Sequence, residues 1–264
     1  MPSPVQVYQL REPESPDHPG VQVGFITEPS DLAYYLETAG LSEPRITLVI
    51  VGGASGLDED QKVQLNGLFH RVLAPLAEEM QLYVVDGGTD AGVMRLMGQA
   101  RTSINGTFPL IGVAPRSLVN LPDHPVSHPD ASTLEPNHTH CVLVPGEKWG
   151  DESPWISEMA THLSGTHESM TILINGGSVT VKDAYASINA GRELVIVAGS
   201  GRVADDIVEA LRYKVVEGKT TDDPRLAKLV DKSDELLTAI DLDNRPSDFI
   251  QDLKLLLTDS TSVY

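Results

Sequence analysis

The chain has 264 residues, 41% of them apolar, and a single cysteine; this is enough for a substantial core, excludes an intramolecular disulfide framework and leaves no cysteine cluster for structural zinc. Its formal charge of −19 argues against nucleic acid as a partner, because counterion release from a phosphate backbone needs a basic face. No run approaches the roughly 20 apolar residues of a membrane span, and the N-terminus lacks a basic segment followed by an apolar core, so the expected setting is cytoplasmic.

Residues 1–44 read as an N-terminal strand and helix extension. Two apolar snippets, Val5 to Leu10 and Val21 to Ile26, flank a proline-rich charged stretch and suggest an added hairpin or edge strands. Ser30 to Ala39 then reads as a short helix capped by Ser30. Its Tyr34 and Tyr35 either pack on the main domain or lean over a ligand, packing being the commoner role. Ile46 to Val51 is nearly all β-branched, as expected of a strand covered on both faces in a parallel sheet. It runs into Gly52-Gly53-Ala54-Ser55-Gly56. Asp58 with Gln61 marks the next helix start, Leu65 to Met80 recur at helical spacing, and Pro75 predicts a kink.

The same grammar of strand, glycine turn and helix then recurs. Leu82 to Val85 is a short apolar run followed by Asp86-Gly87-Gly88-Thr89-Asp90-Ala91-Gly92-Val93 and a helical stripe of Val93, Leu96, Met97 and Ala100. Glycines there permit positive φ and close approach of a ligand to the backbone. The amides opening the following helix have no intrahelical acceptor and suit an anion. Asp90 is itself an anion within this turn, so a phosphate neighbour requires it to turn away or be bridged by a cation. Leu110 to Val113 and Cys141 to Val144 read as further strands, separated by a polar excursion too long for an ordinary connection. Ile156 to Ser164 reads as a helix. Thr171 to Ile174 with Asn175-Gly176-Gly177-Ser178, and Leu194 to Val197 with Gly199-Ser200-Gly201-Arg202, give a third and a fourth glycine turn, each followed by a helix. Four such repeats describe an α/β fold with a doubly wound, mostly parallel Rossmann-like sheet, whose ligands lie outside the carboxyl ends of the strands. Residues 216–264 read as an acidic helical C-terminal extension, either a cap on the core or an interaction arm.

Local alternatives remain beside this frame. Asn137-His138-Thr139-His140 places two imidazoles two residues apart on an extended segment, which is metal-like spacing, but no third ligand follows; loop anchoring or a bond to ligand is the preferred reading. Cys141 opens an apolar strand and reads as a small buried hydrophobe. Trp149 follows a strand end, where it either covers a purine or packs at a rim. Arg116, Lys148, Lys182 and Arg202 give the glycine-bearing edge cations, diluted by Asp86, Asp90, Glu147 and Asp183.

Taken together, G-G-A-S-G, D-G-G-T-D-A-G-V-M-R-L-M-G-Q-A, L-I-G-V-A, L-E-P-N-H-T-H-C-V-L-V, N-G-G-S-V-T and G-S-G-R-V-A-D resemble the SLOG family. The match is to its LSDAT branch, found as the N-terminal cytoplasmic domain of melastatin-type TRP channels and in prokaryotic relatives. It covers about Arg45 to Tyr213, within a main domain taken as 45–215. The resemblance implies a Rossmann-like fold that binds a small-molecule nucleotide, such as ADP-ribose, with no other cofactor required. It places Gly52, Gly53 and Ala54 along the ligand. Gly87, Gly88, Thr89, Gly92 and Val93 would surround its phosphates, Gly176 and Gly177 would lie beside it, and Arg202, with Ser200 and Gly201 in its turn, would touch a phosphate or terminal ribose. Asn137 and His138 belong to the shared loop motif. Gly56 and Leu57 stand where the channels carry a polar Asn and an aromatic Phe. Lonely Guy-type phosphoribohydrolases, a more distant relation, use P-G-G-x-G-T-x-x-E; here N-G-G-S-V-T-V-K-D brings Asp183 to the acid's position, so N-glycosidase chemistry is the enzymatic alternative. A scaffold with a vestigial pocket is the third reading. In the binding reading, with no pore or nuclease segment visible, output needs a homo-oligomer or a separate effector protein.

Overall fold

The computed structural model describes residues 6–10, 20–53, 55–122, 124–233 and 235–258. A nine-stranded sheet runs through the molecule. In chain order its strands are β1 (Gln6–Leu10), β2 (Val21–Phe25), β3 (Thr47–Gly52), β4 (Tyr83–Asp86), β5 (Leu110–Pro115), β8 (His140–Val144), β9 (Ser169–Ile174), β10 (Glu193–Ala198) and β11 (Leu237–Asp241). The spatial order is β1-β2-β8-β5-β4-β3-β9-β10-β11. Every pairing is parallel except β1 with β2. The expected mostly parallel α/β fold is therefore present. Two short strands, β6 (Val119–Asn120) and β7 (Ser132–Thr133), form a separate parallel pair inside the excursion between β5 and β8.

Alternation along the strands explains the winding. Val49 and Val51 of β3 face one core and Leu48 and Ile50 the other. The first core is covered by α1 (Asp31–Ala39), α5 (Ser153–Ser164), α6 (Ser178–Asn189), α7 (Val203–Glu217) and α8 (Pro224–Lys232). The second is covered by α2 (Glu59–Leu68), α3 (Ala74–Met80), α4 (Gly92–Ser103) and α9 (Pro246–Thr258). Burying each Val, Leu, Ile or Phe side chain on these faces contributes about 1.5–3 kcal/mol.

The helix from Glu59 to Met80 begins as expected. Asp58 Oδ1 accepts from the Gln61 amide at 2.8 Å, and Gln61 Oε1 accepts from the Asp58 amide at 3.1 Å. Pro75 acts one turn earlier than a simple kink: it cannot donate to the residue-71 carbonyl, and Phe69–Leu73 widens into a π-helical turn between α2 and α3. Ser30 makes no capping bond with its side chain. Asp31 Oδ2 instead accepts from the Thr27 and Glu28 amides, closing the turn before α1. Tyr35 is buried in the first core and Tyr34 is exposed.

The C-terminal segment differs from a purely helical extension. Leu237–Asp241 pairs in parallel with Leu194–Ala198, and Phe249, Leu253 and Leu257 of α9 are buried in the second core. β11 is hard to see in sequence because Ile240 is its only fully buried residue, so Leu-Thr-Ala-Ile-Asp shows neither strong alternation nor a continuous apolar run.

Candidate functional site

Strand order reverses at β3. From it the chain steps through β4 and β5 to β8 on one side, then returns to place β9, β10 and β11 on the other. A crevice opens outside the carboxyl ends of β3 and β9, where a doubly wound sheet binds its ligands. A cleft of about 310 Å³ lies there. Its lining draws Gly52, Gly87, Thr89, Ala91 and Met94 from β3, the turn after β4 and the start of α4, Trp149, Glu152 and Ile156 from the start of α5 and the loop before it, and Val179, Thr180 and Asp183 from α6; Asp130 and Ser132 reach it from the excursion.

Backbone packing sets the near wall. Gly52 sits at φ +136, and a Cβ there would fall onto the Ile174 carbonyl, so β3 and β9 close up only around glycine. Gly53 donates its amide to Ile174 O at 3.0 Å. Ala54 lies outside the described residues. Gly176, at φ +88, packs against Thr180, whose Oγ1 accepts from the Gly177 amide at 3.1 Å. The Arg202 side chain lies over Gly177 and donates from Nη1 to Ser55 Oγ. Arg202 itself has φ 56.

The turn after β4 is tied down from three directions. Gly88 has φ +66 and presses on Gly112 of β5, where a Cβ on Gly88 would come within 2.7 Å of Gly112 Cα. Its amide donates to Asp86 Oδ1 at 2.7 Å, and its carbonyl accepts from the Glu135 amide at 3.0 Å. The Asp90 amide donates to Thr133 O at 2.9 Å. Asp90 turns its carboxylate out to Arg95 Nε at 2.6 Å, so its charge is directed away from the amides of α4. The first helix amide with an acceptor in its own turn is that of Arg95, which donates to Ala91 O at 3.2 Å. Those of Gly92, Val93 and Met94 precede it and face the cleft end of the helix. The Val93 side chain is buried in the second core.

Behind this turn lies a charge cluster that joins the loop of Glu135 and His138 to Asp86, 52 residues away in the chain. His138 Nε2 is 2.8 Å from Asp86 Oδ1 and its Nδ1 is 2.8 Å from Glu135 Oε2, all three side chains being essentially inaccessible. Burial draws the imidazole down, but the Asp86 and Glu135 carboxylates outweigh it and lift His138 to about 9. His138 is then a cation clamped between two anions. Asn137 donates Nδ2 to Glu135 and accepts at Oδ1 from Thr102, anchoring the same loop to α4. Neither Asn137 nor His138 lines the cleft. His140 bonds to Thr139 instead, and burial pushes it down to about 4. Cys141 is buried, with its thiol pushed up by burial.

The turn after β10 is satisfied from within. Asp205 accepts from the Gly199 amide at 2.7 Å and from the Gly201 amide at 3.2 Å. Ser200 Oγ accepts from the Asn175 amide at 2.8 Å and donates to Val197 O. Asn175, buried at φ 54, returns a bond from Nδ2 to Ser200 O and receives the Ala204 amide at its carbonyl. Asn175 thus links the turns after β9 and β10, a role its place in N-G-G-S did not reveal. Glu152 was missed as well, since it lies in a polar stretch remote from the glycine motifs. It is buried at the start of α5, accepts from the Gly150 amide at 2.6 Å, and is pushed up by burial. Asp183 lies on the same wall, 8% exposed, with Oδ1 unpartnered. Burial, reinforced by the neighbouring Glu152 charge, raises it to about 7 against the opposing pull of the Ser153 hydroxyl and the Lys182 cation. Trp149 Nε1 donates to Asp130 O at 3.2 Å, fixing the indole at the cleft.

A parallel sheet with glycine turns and helix starts gathered at its strand-order switch defines a Rossmann-like α/β protein. The chain belongs to the family described as SLOG in TRPM, prokaryote, which matches residues 45–251. A transient receptor potential cation channel subfamily M member 2 of Mus musculus is 29% identical over 226 residues, covering 72% of this chain and 15% of the channel. The Rattus norvegicus member 2 is 27% identical over 213 residues, covering 67% and 14%. A member-like 2 protein of Nematostella vectensis is 25% identical over 229 residues, covering 70% and 14%. The chain therefore spans 14–15% of the length of these relatives. Family membership supports a nucleotide-binding role in general. Among the described residues no helix is long and apolar enough to cross a membrane.

Proposed function

We propose that the protein binds a nucleotide-derived ligand, ADP-ribose or a related signalling nucleotide, in the cleft at the β3–β9 switch point, and acts as a cytoplasmic sensor. The carrying observation is the meeting at one cleft of two helix starts, those of α4 and α6, with Arg202 lying over Gly177 at the start of α6 just outside the cleft lining. Helix N-termini favour anions, and a guanidinium adds charge-assisted bonds to phosphate. Gly52, Gly53, Gly87, Thr89, Gly92, Gly176 and Gly177 let the pyrophosphate approach backbone, while Trp149 offers a face to a base. Gly88, Val93, Asn137, His138, Ser200 and Gly201 support these contacts from behind. Output passes to a second copy or a separate effector protein.

Calorimetric titration with ADP-ribose, NAD, AMP and cyclic nucleotides should give saturable binding for at least one of them. Arg202→Ala should weaken it about tenfold or more, as expected for loss of a charge-assisted bond. Silence across the whole panel, or unchanged affinity in Arg202→Ala, defeats this placement.

One observation favours a second, enzymatic reading. Asp183 presents a buried, partly unpartnered carboxyl on the cleft wall, suited to steadying positive charge on a ribose during N-glycosidic cleavage. Release of free base from AMP that vanishes in Asp183→Ala identifies that activity.

A further inference from the structure

The turn after β4 rests on buried charge. Gly87 and Thr89 line the cleft, and Gly88 between them is held at both of its backbone groups. Its amide donates to Asp86 Oδ1 at 2.7 Å, and its carbonyl accepts from the Glu135 amide at 3.0 Å. His138 spans the two holders, with Nε2 2.8 Å from that same Asp86 oxygen and Nδ1 2.8 Å from Glu135 Oε2. The other Asp86 oxygen, Oδ2, is buried with no hydrogen-bond partner among the described residues. Should His138 lose its proton, one of its nitrogens stops donating, and two carboxylates remain in the interior with no cation between them. Buried charge without a partner is costly, so the cluster and the turn it holds would loosen. Two negative charges would then also stand directly behind the amides that receive an anion.

We propose that His138 is a positioning residue for the phosphate end of the ligand: as a cation it holds the turn between β4 and α4 in its anion-receiving shape and offsets the carboxylates behind it, so that ligand and proton bind cooperatively. This rests on the nucleotide-site reading above and adds how that site is regulated. The surroundings leave His138 as the responsive group. β4 presents Asp86 and the excursion Glu135. β8 contributes Cys141, whose thiol is pushed up by burial, and His140, which burial holds down at about 4. α4 turns the charges of Arg95 and Arg101 towards Glu135, and β5 meets the imidazole with the backbone of Gly112. His138 itself is held at about 9 by the two carboxylates, against the pull of burial. A value raised in the folded protein means that the cation is present well below pH 9 and is lost as pH rises through it, and ligand affinity follows the same course.

The test titrates AMP and ADP-ribose by calorimetry from about pH 7.5 to 10, a range in which their phosphates keep a constant charge. Circular dichroism verifies the folded state at each pH, and NMR follows the His138 ring in the same samples. The affinity of whichever compound binds should fall about fivefold or more, the lower end of ordinary coupling between two sites, with its midpoint at that of His138. By reciprocity, saturating ligand should move the His138 midpoint upward by the same factor, about 0.7 of a pH unit for a fivefold effect. Glu135→Gln and Asp86→Asn each remove one carboxylate while keeping the side-chain shape. Both should lower the His138 midpoint and carry the affinity midpoint down with it. A folded His138→Gln protein should bind weakly already at pH 7.5 and show no further fall. Affinity that stays level while His138 titrates, or an affinity midpoint that stays in place when the variants move His138, overturns the proposal. So does a His138 midpoint indifferent to ligand, or full affinity in folded His138→Gln. If wild type binds neither compound anywhere in the range, the nucleotide-site reading itself fails, which is a different and recognisable outcome.

Discussion

His138 ties separate segments of the chain together. It joins the end of β4, through Asp86, to the excursion, through Glu135, and Asp86 in turn holds the Gly88 amide. Other groups facing this cluster are Cys141 on β8, kept protonated by burial, and Arg101 on α4, which attracts Glu135. The imidazole is lifted from 6.5 to about 9 on folding. A raised folded value means the folded state holds the proton more tightly, so the stabilisation is complete below about pH 6.5 and is lost as pH rises through about 9. That difference corresponds to about 3 kcal/mol. His138→Gln should be less stable than wild type near pH 6, with the gap narrowing above pH 9, as measured by denaturant unfolding at several pH values. The two histidines of the motif were visible in sequence, as was loop anchoring. Their partners were not, because Asp86 is 52 residues away and looked like an acid diluting a cationic edge.

At the scale of elements, α4 shows packing overruling propensity. Gly98 sits in its middle, where alanine would ordinarily gain about 1 kcal/mol. A Cβ at Gly98 would instead collide with the Glu135 carboxylate. Gly98→Ala should therefore lower the unfolding temperature, and NMR titration of His138 should show its value falling, since Glu135 is pushed from its partner. A helix-stabilising result would show that Glu135 has room to shift. The contrasting case is α2, whose start is purely local. Asp58→Ala removes the reciprocal bonds with Gln61 and should cost about 1 kcal/mol without affecting ligand binding. Locality also decides what was legible. The capping pair, the six inner parallel strands and the glycine turns all announce themselves within ten residues of chain. The π turn before Pro75, the excursion's pairing with the β4 turn, and the Glu152–Asp183 wall depend on contacts that no local pattern encodes.

For the molecule as a whole, the sheet extends well past the motif-bearing strands. β2 continues the parallel order beyond β8, and β11 does so beyond β10. We propose that residues 237–258 are a working part of the core and not a detachable arm. Deleting the chain from residue 237 would strip a strand from β10 and uncover the second core where Phe249, Leu253 and Leu257 now pack. The truncated protein should lose cooperative unfolding or aggregate through its exposed edge, read by circular dichroism and light scattering. A soluble, cooperatively folded truncation would restore the interaction-arm reading.

The contact between Gly88 and Gly112 bears on how binding would feel thermodynamically. Two backbones meet there without an intervening side chain, and the same turn is bonded to Asp86, Thr133 and Glu135. A loop fixed on so many sides has little freedom left to surrender. Ligand association at it should carry a small ordering penalty, and amide exchange at residues 87–90 should already be slow in the free protein. The ligand would find a mould already set, and a signal generated by it would have to travel through some other, softer part of the fold.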